Sequence, residues 1–181
     1  MKTLTYACVM FFAAVAAAVP SPVSAQAPAP SQAKELAATF QRAVTELLDV
    51  AEVMPADKYS YKPTPDVQSF GDQLVHVAGI VQRFIDTAKG TKTEAAHHGA
   101  MSKAEVIALL KTTFQNAQAI ITPLTDAQLL EPVKFPFGDR TVTRATFWQG
   151  PLFQLRNHYG QLVVYLRMNG IVPPTTAAAR R

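Results

Sequence analysis

Cysteine is all but missing from this chain. Of 181 residues only Cys8 carries a thiol, and it lies inside an apolar N-terminal run, followed by Val9-Met10-Phe11 rather than by the start of a mature protein. That placement argues against a lipid anchor at Cys8. Without that run the chain has no disulfide, no thiol nucleophile and no thiolate metal ligand, which suits an oxidising compartment because nothing can mispair. Concentrated charge of one sign is also missing. Seventeen Lys and Arg face thirteen Asp and Glu for a net charge of +4, and only Arg180-Arg181 are adjacent basic residues. With no basic stripe, nucleic acid is excluded as a partner, and the mild excess reads as a solvated surface. There is no phosphate-binding loop, no dinucleotide fingerprint and no Ser-His-Asp arrangement. Internal repeats are absent too.

What is present begins with a leader. Lys2 supplies a short positive region, Leu4 to Val19 an apolar run, and Val23-Ser24-Ala25 a small-residue cleavage signal. The run is shorter than the roughly 20 residues a membrane-spanning helix needs. The pattern predicts a secretory signal peptide over residues 1–25, cut after Ala25, and a periplasmic or secreted protein with no membrane attachment after cleavage. Residues 26–30, Gln-Ala-Pro-Ala-Pro, read as a linker.

The rest, residues 31–174, reads as one all-α domain. Ser31 caps a first helix over about Gln32 to Val53, with Leu36, Phe40, Val44, Leu47 and Leu48 at helical spacing and Met54-Pro55 as its stop. A proline-bearing loop to Val67 holds Tyr59 and Tyr61, which most simply pack down to seal the core. Ser69-Phe70-Gly71-Asp72 opens a second helix ending near Gly90, and Ser102-Lys103-Ala104-Glu105 is a capping box opening a third that ends before Pro123. Thr125 to Gln128 reads as a helical turn, and Val133 to Thr143 as a small hairpin or ordered loop. A fourth long helix spans about Arg144 to Asn169, with Gly150-Pro151 inside it and Phe147 and Trp148 as core beside them. Gly170 and Pro173-Pro174 stop it, leaving 175–181 as a flexible tail. Four long amphipathic helices without a convincing sheet predict a four-helix bundle.

Two histidines lie in these helices. Gln154, His158, Gln161 and Tyr165 follow at spacings of four, three and four, and so share one face of the last helix. On the second helix Asp72, His76 and Arg83 share a face. If the faces meet, His76, Gln154 and His158 converge as side chains of facing helices do in bundle metal sites. Two imidazoles and an amide oxygen suit a first-row divalent ion. The plainer alternative is a pair of buried histidines with hydrogen-bond partners. Asp72 is either an outer partner of His76 or, more simply, part of the helix cap with Ser69. His97-His98 read as exposed loop residues.

These phrases, taken in order, resemble the DinB/YfiT-like superfamily from about Ser31 to Pro174. Met54-Pro55-Ala56-Asp57-Lys58-Tyr59 with Tyr61-Lys62-Pro63 is similar to the family's loop after its first helix. Ser69 to Ala78 is similar to its second-helix histidine motif, and His158-Tyr159-Gly160-Gln161 with Tyr165-Leu166-Arg167 and Gly170 to Pro174 to its fourth-helix motif. The resemblance implies an up-down-down-up bundle. In many members it also implies a divalent ion, zinc, nickel or another first-row metal, held by three histidines: one on the second helix and two, four apart, on the fourth. His76 and His158 match two of these, while Gln154 stands where the third histidine is usual and Tyr159 where arginine is common. An amide oxygen is a weaker donor than imidazole to zinc or nickel.

Two functions follow from this reading. One is a divalent-metal-dependent enzyme of transferase or hydrolase type. The other is a non-catalytic exported module, a small-ligand or stress-associated binding protein using the same pocket with a degenerate metal site. A homodimer fits the family, and no residue pattern here requires one.

Overall fold

A computed structural model describes residues 29–92 and 101–180. The predicted leader with Cys8, and the pair His97-His98, lie outside the described residues. Helix α1 (Gln32–Val53) starts at the expected cap, where Ser31 Oγ accepts from the Lys34 amide. Helix α2 (Phe70–Lys89) is capped by Ser69, and α3 (Lys103–Ile121) opens with the full reciprocal box between Ser102 and Glu105. A four-residue α4 (Asp126–Leu129) and an antiparallel pair, β1 (Pro132–Lys134) and β2 (Thr141–Thr143), lead into α5 (Arg144–Met168). Val133 sits opposite Val142 across the pair. Gly90 and Gly170 take φ of 67° and 73° where α2 and α5 end, a region only glycine enters without strain. Among the described residues no helix is long and apolar enough to cross a membrane.

The four long helices hold one core. Helix α1 packs on α3 and α5, and α2 packs on the same two. Phe40, Leu47, Leu74, Val77, Val81, Leu110, Phe114, Trp148, Leu155 and Leu162 are buried between them. Each large side chain so buried contributes about 1.5–3 kcal/mol, so packing rather than helix propensity holds the helices in place. Polar groups bind the ends. Asp126 Oδ1 accepts from Ser31 Oγ and from the Ala33 amide, both at 2.8 Å, fastening α4 to the start of α1. Lys103 Nζ donates to the carbonyls of Glu52 and Met54, neutralising the open end of α1 from the start of α3.

One local feature bears out the sequence expectation and one departs from it. The loop after α1 contains a 3-10 turn at Ala56–Lys58, and behind it Tyr59 is buried with its hydroxyl donating to the Ala51 carbonyl at 2.7 Å. Burial raises that phenol above its ordinary value, so it stays a protonated donor. At the other end, Pro173-Pro174 stop α5 but do not release the chain into a tail from residue 175. Pro174 serves as the first residue of α6 (Pro174–Ala178), where its missing N–H costs nothing. Helix α6 lies against α1, and the Tyr159 hydroxyl meets Thr175 Oγ1 at 2.5 Å.

Candidate functional site

Because α2 and α5 are packed neighbours, one row of each faces the other. The α2 row contains Gln73 and His76, three residues apart, and the α5 row contains His158, Gln161 and Tyr165. The His76 and His158 rings meet with centroids 5.2 Å apart, tilted by 57°. His158 is buried and His76 is exposed, so the pair spans from core to surface.

Gln73 organises the buried half. It is buried on α2, and its amide nitrogen donates to Gln161 Oε1 and to the Tyr165 hydroxyl, each at 3.1 Å. The Tyr165 hydroxyl has a single proton, and it goes to the Gln68 carbonyl at 2.8 Å. Tyr165 therefore accepts from Gln73, which turns the amide oxygen of Gln73 towards His158. That oxygen lies 2.6 Å from His158 Nδ1. Since an amide oxygen only accepts, Nδ1 carries the proton and Nε2 keeps its lone pair. Nε2 has no hydrogen-bond partner, and it is not among the sealed, unpartnered side-chain atoms of the described residues, which are Arg144 Nε and Trp148 Nε1. It thus retains contact with solvent. Burial, followed by the neighbouring His76, lowers the His158 pKa from the ordinary imidazole value. The ring is therefore neutral near pH 7, the form in which histidine binds a metal.

A divalent ion can be tested against this donor set. With metal–nitrogen bonds of about 2.0–2.1 Å, two imidazoles sharing an ion place their ring centroids roughly 5 Å apart, and His76 and His158 meet that spacing. The third donor is weaker. Gln154 lies one turn before His158 on α5, half-buried, with no hydrogen bond to either histidine. Among the described residues no three of His, Cys, Asp and Glu come together as a metal cluster. The pair fits an ion as a two-imidazole site with an amide oxygen one turn away.

The other anticipated residues fall as follows. Gln161 and Tyr165 join the site through Gln73. Asp72 is exposed and closes the cap of α2: its carboxylate accepts from Ser69 Oγ at 2.6 Å while its amide donates back at 3.1 Å. It makes no bond to His76. Tyr61 stacks edge-on against Tyr165, with centroids 6.2 Å apart. Gln73 itself was not anticipated, although a glutamine three residues before His76 in an otherwise apolar row was the available signal. Also unanticipated is a cleft of about 300 Å³ in which Gln154 meets Phe84, Phe135, Phe137, Arg140 and Phe153.

The lowered His158 pKa has a consequence for stability. The folded value lies below the 6.5 expected of the unfolded chain. As pH falls, the unfolded state takes up the proton first, so the stabilisation is full above 6.5 and is lost as pH drops towards the folded value. Urea unfolding from about pH 7.5 to about pH 5 is expected to show stability falling on the acid side, more steeply than in His158→Gln. Equal slopes in the two proteins would remove His158 as the cause.

Comparison with known proteins follows the same lines. The family model described as the DinB superfamily matches residues 39–162. Among solved structures the chain is similar to a DinB-like protein from Bacillus subtilis, with 25% identity and a TM-score of 0.59, over 75% of this chain and 92% of that one. A DinB-like protein from Bacillus cereus gives a TM-score of 0.68 at 17% identity, over 80% of this chain and 96% of that one. A conserved protein from Enterococcus faecalis gives 0.60 at 14%, over 77% and 97%. These last two likenesses bear on the fold alone. No curated protein matches the chain.

Proposed function

The chain belongs to the DinB superfamily, and from that premise we propose that it is a divalent-metal-dependent enzyme acting on a small molecule, of transferase or hydrolase type, in an up-down-down-up bundle. The carrying observation is the Gln73 network, which holds the proton on His158 Nδ1 and leaves Nε2 open beside His76. His158 and His76 would hold the ion, with the Gln154 amide oxygen as the third and weakest donor. When bound, the ion supplies Lewis acidity, polarising a substrate or lowering the pKa of a bound water or thiol. The protein's own part is to orient His158 through Gln73, to keep it neutral by burial, and to close the inner side of the site with Tyr165 and Tyr61. The second reading, a non-catalytic ligand-binding bundle, stands on the observation that among the described residues no third imidazole or carboxylate joins the pair.

Metal analysis of the mature protein after dialysis against zinc, nickel, manganese and cobalt separates the two. Stoichiometric retention of one of these ions, lost in His158→Ala and tightened in Gln154→His, is expected. Failure of the wild type to retain any of them would leave only the ligand-binding reading, and an unchanged affinity in Gln154→His would remove Gln154 from the donor set. The leader pattern of residues 1–25 supports a working protein in the periplasm or outside the cell. The intact mass of exported protein checks this: it should correspond to a chain beginning at Gln26, and retention of Lys2 would refute cleavage.

A further inference from the structure

We propose that the cleft lined by Gln154, one helical turn before His158, holds a small aromatic carboxylate, its ring among the phenylalanines and its acid on Arg140. This names a substrate class for the site above, and it rests on that reading only for where the ligand's reactive end lies.

The cleft is built by the hairpin folding over α2 and α5. Phe84 from α2 meets Phe135 and Phe137 from the hairpin edge-on, with centroids 5.4 and 5.9 Å away. Phe153 forms another wall and remains 67% exposed, a large apolar group with nothing covering it among the described residues. At about 300 Å³ the space fits one ring with a short arm, at the small end of the roughly 300–1,000 Å³ range of ligand pockets. Phenyl walls standing edge-on to one another favour an aromatic guest over an aliphatic one of equal size, because ring edges and faces carry opposite partial charge.

The charge is equally one-sided. Arg140 lines the cleft with its guanidinium carbon 4.0 Å from the centre of the Phe135 ring. Stacking uses the flat face of the guanidinium and leaves its N–H donors free in the plane, the geometry that grips a carboxylate. Among the described residues no side chain or carbonyl takes those donors, and the lining contains no acid. The neighbouring Asp139 is paired with Lys134 at 2.9 Å. An unpaired cation on an aromatic wall complements an aromatic anion. Gln154 lines the same cleft, and His158 follows it by one helical turn on α5.

The test is calorimetric titration of the metal-free mature protein with 3-phenylpropionate, 3-phenylpropionamide and hexanoate. Phenylpropionate is expected to bind about tenfold more tightly than either comparator, the amide lacking the charge and hexanoate the ring. Arg140→Gln should abolish the preference for acid over amide, while Phe153→Ala should weaken acid and amide alike. Both side chains are exposed, so thermal melts of the variants should match wild type. Equal binding of the three probes, no binding of phenylpropionate, or an acid preference surviving Arg140→Gln would overturn the proposal. So would a probe affinity that falls as protein concentration rises, the mark of a second copy occupying the cleft. Metal analysis of the wild-type protein, run beside the titration, keeps the two readings apart. Phenylpropionate bound by a protein that retains no metal supports the cleft and rejects only the histidine site; metal retained without phenylpropionate binding rejects only the cleft.

Discussion

Gly150→Ala is expected to destabilise the protein, although alanine is the best helix former and glycine nearly the worst. In an open helical position this change would gain about 1 kcal/mol. Here a Cβ would stand 2.4 Å from Phe84 Cζ and 2.7 Å from its Cε1, closer than carbon atoms approach. The ring cannot easily withdraw. Phe84 is 1% exposed and held edge-on by Phe147 at 4.9 Å, Phe135 at 5.4 Å and Phe137 at 5.9 Å. Forcing extra carbon into so filled a space costs about 1–3 kcal/mol, occasionally more. The net loss should be up to about 2 kcal/mol for alanine and about 3 kcal/mol for valine, read from urea midpoints. The pairing of glycine with ring is tested by Gly150→Ala in a Phe84→Leu background. A smaller side chain should absorb the new methyl, so the two changes should cost less together than the sum of each alone. Strict additivity would mean that Phe84 does not limit the site.

That contact also marks what the sequence made legible and what it did not. The ends of the long helices were readable because each is set by a local signal: Ser31, Ser69 and Ser102 as caps, Met54-Pro55 and Gly90 as stops. The proximity of His76 and His158 was readable because helical spacing places each on a defined face and a bundle makes faces meet. Which of two adjacent rows on α2 faces α5 was not readable. Asp72 and Gln73 lie four and three residues before His76, and either can share its face. Asp72 is exposed and closes the cap with Ser69, the simpler of its two expected roles, while the outer partner of the histidines is Gln73, buried against His158. The choice depends on how α2 is rotated in the packed core, a tertiary quantity with no local signature. The aromatic cleft was hidden for a related reason. It joins Phe84 to residues some 50 to 70 positions later in the chain, and only the docking of the hairpin brings them together. Even α6 follows this pattern: Pro173-Pro174 carry a correct local stop for α5, but whether the chain then starts another helix depends on α1 being there to receive it.

Gln73→Leu should damage fold and metal site together, and Gln73→Glu should separate them. Leucine is close to glutamine in size but neither donates nor accepts. It would leave the His158 Nδ1 proton without its acceptor, and the Tyr165 and Gln161 oxygens without their donor. Tyr165 still has the Gln68 carbonyl and Gln161 is exposed, so the main penalty is one orphaned buried donor, about 1–3 kcal/mol. Nothing then holds the proton on Nδ1. A share of the rings will carry it on Nε2, the nitrogen that faces an incoming ion, and divalent-metal affinity should fall about 10–100-fold, as it does when the outer partner of a ligating histidine is lost. Glutamate restores the acceptor for His158 in a more basic form but cannot donate to Tyr165 or Gln161. Metal affinity should therefore recover to the wild-type level or above it, while stability, followed by urea unfolding without metal, stays below wild type. Two rank orders that differ in this way, glutamate with or above glutamine and then leucine for metal, glutamine first for stability, are what a proton-holding role for Gln73 requires. If affinity instead tracked stability across the three proteins, Gln73 would be only a packing residue, and the open Nε2 of His158 would owe nothing to it.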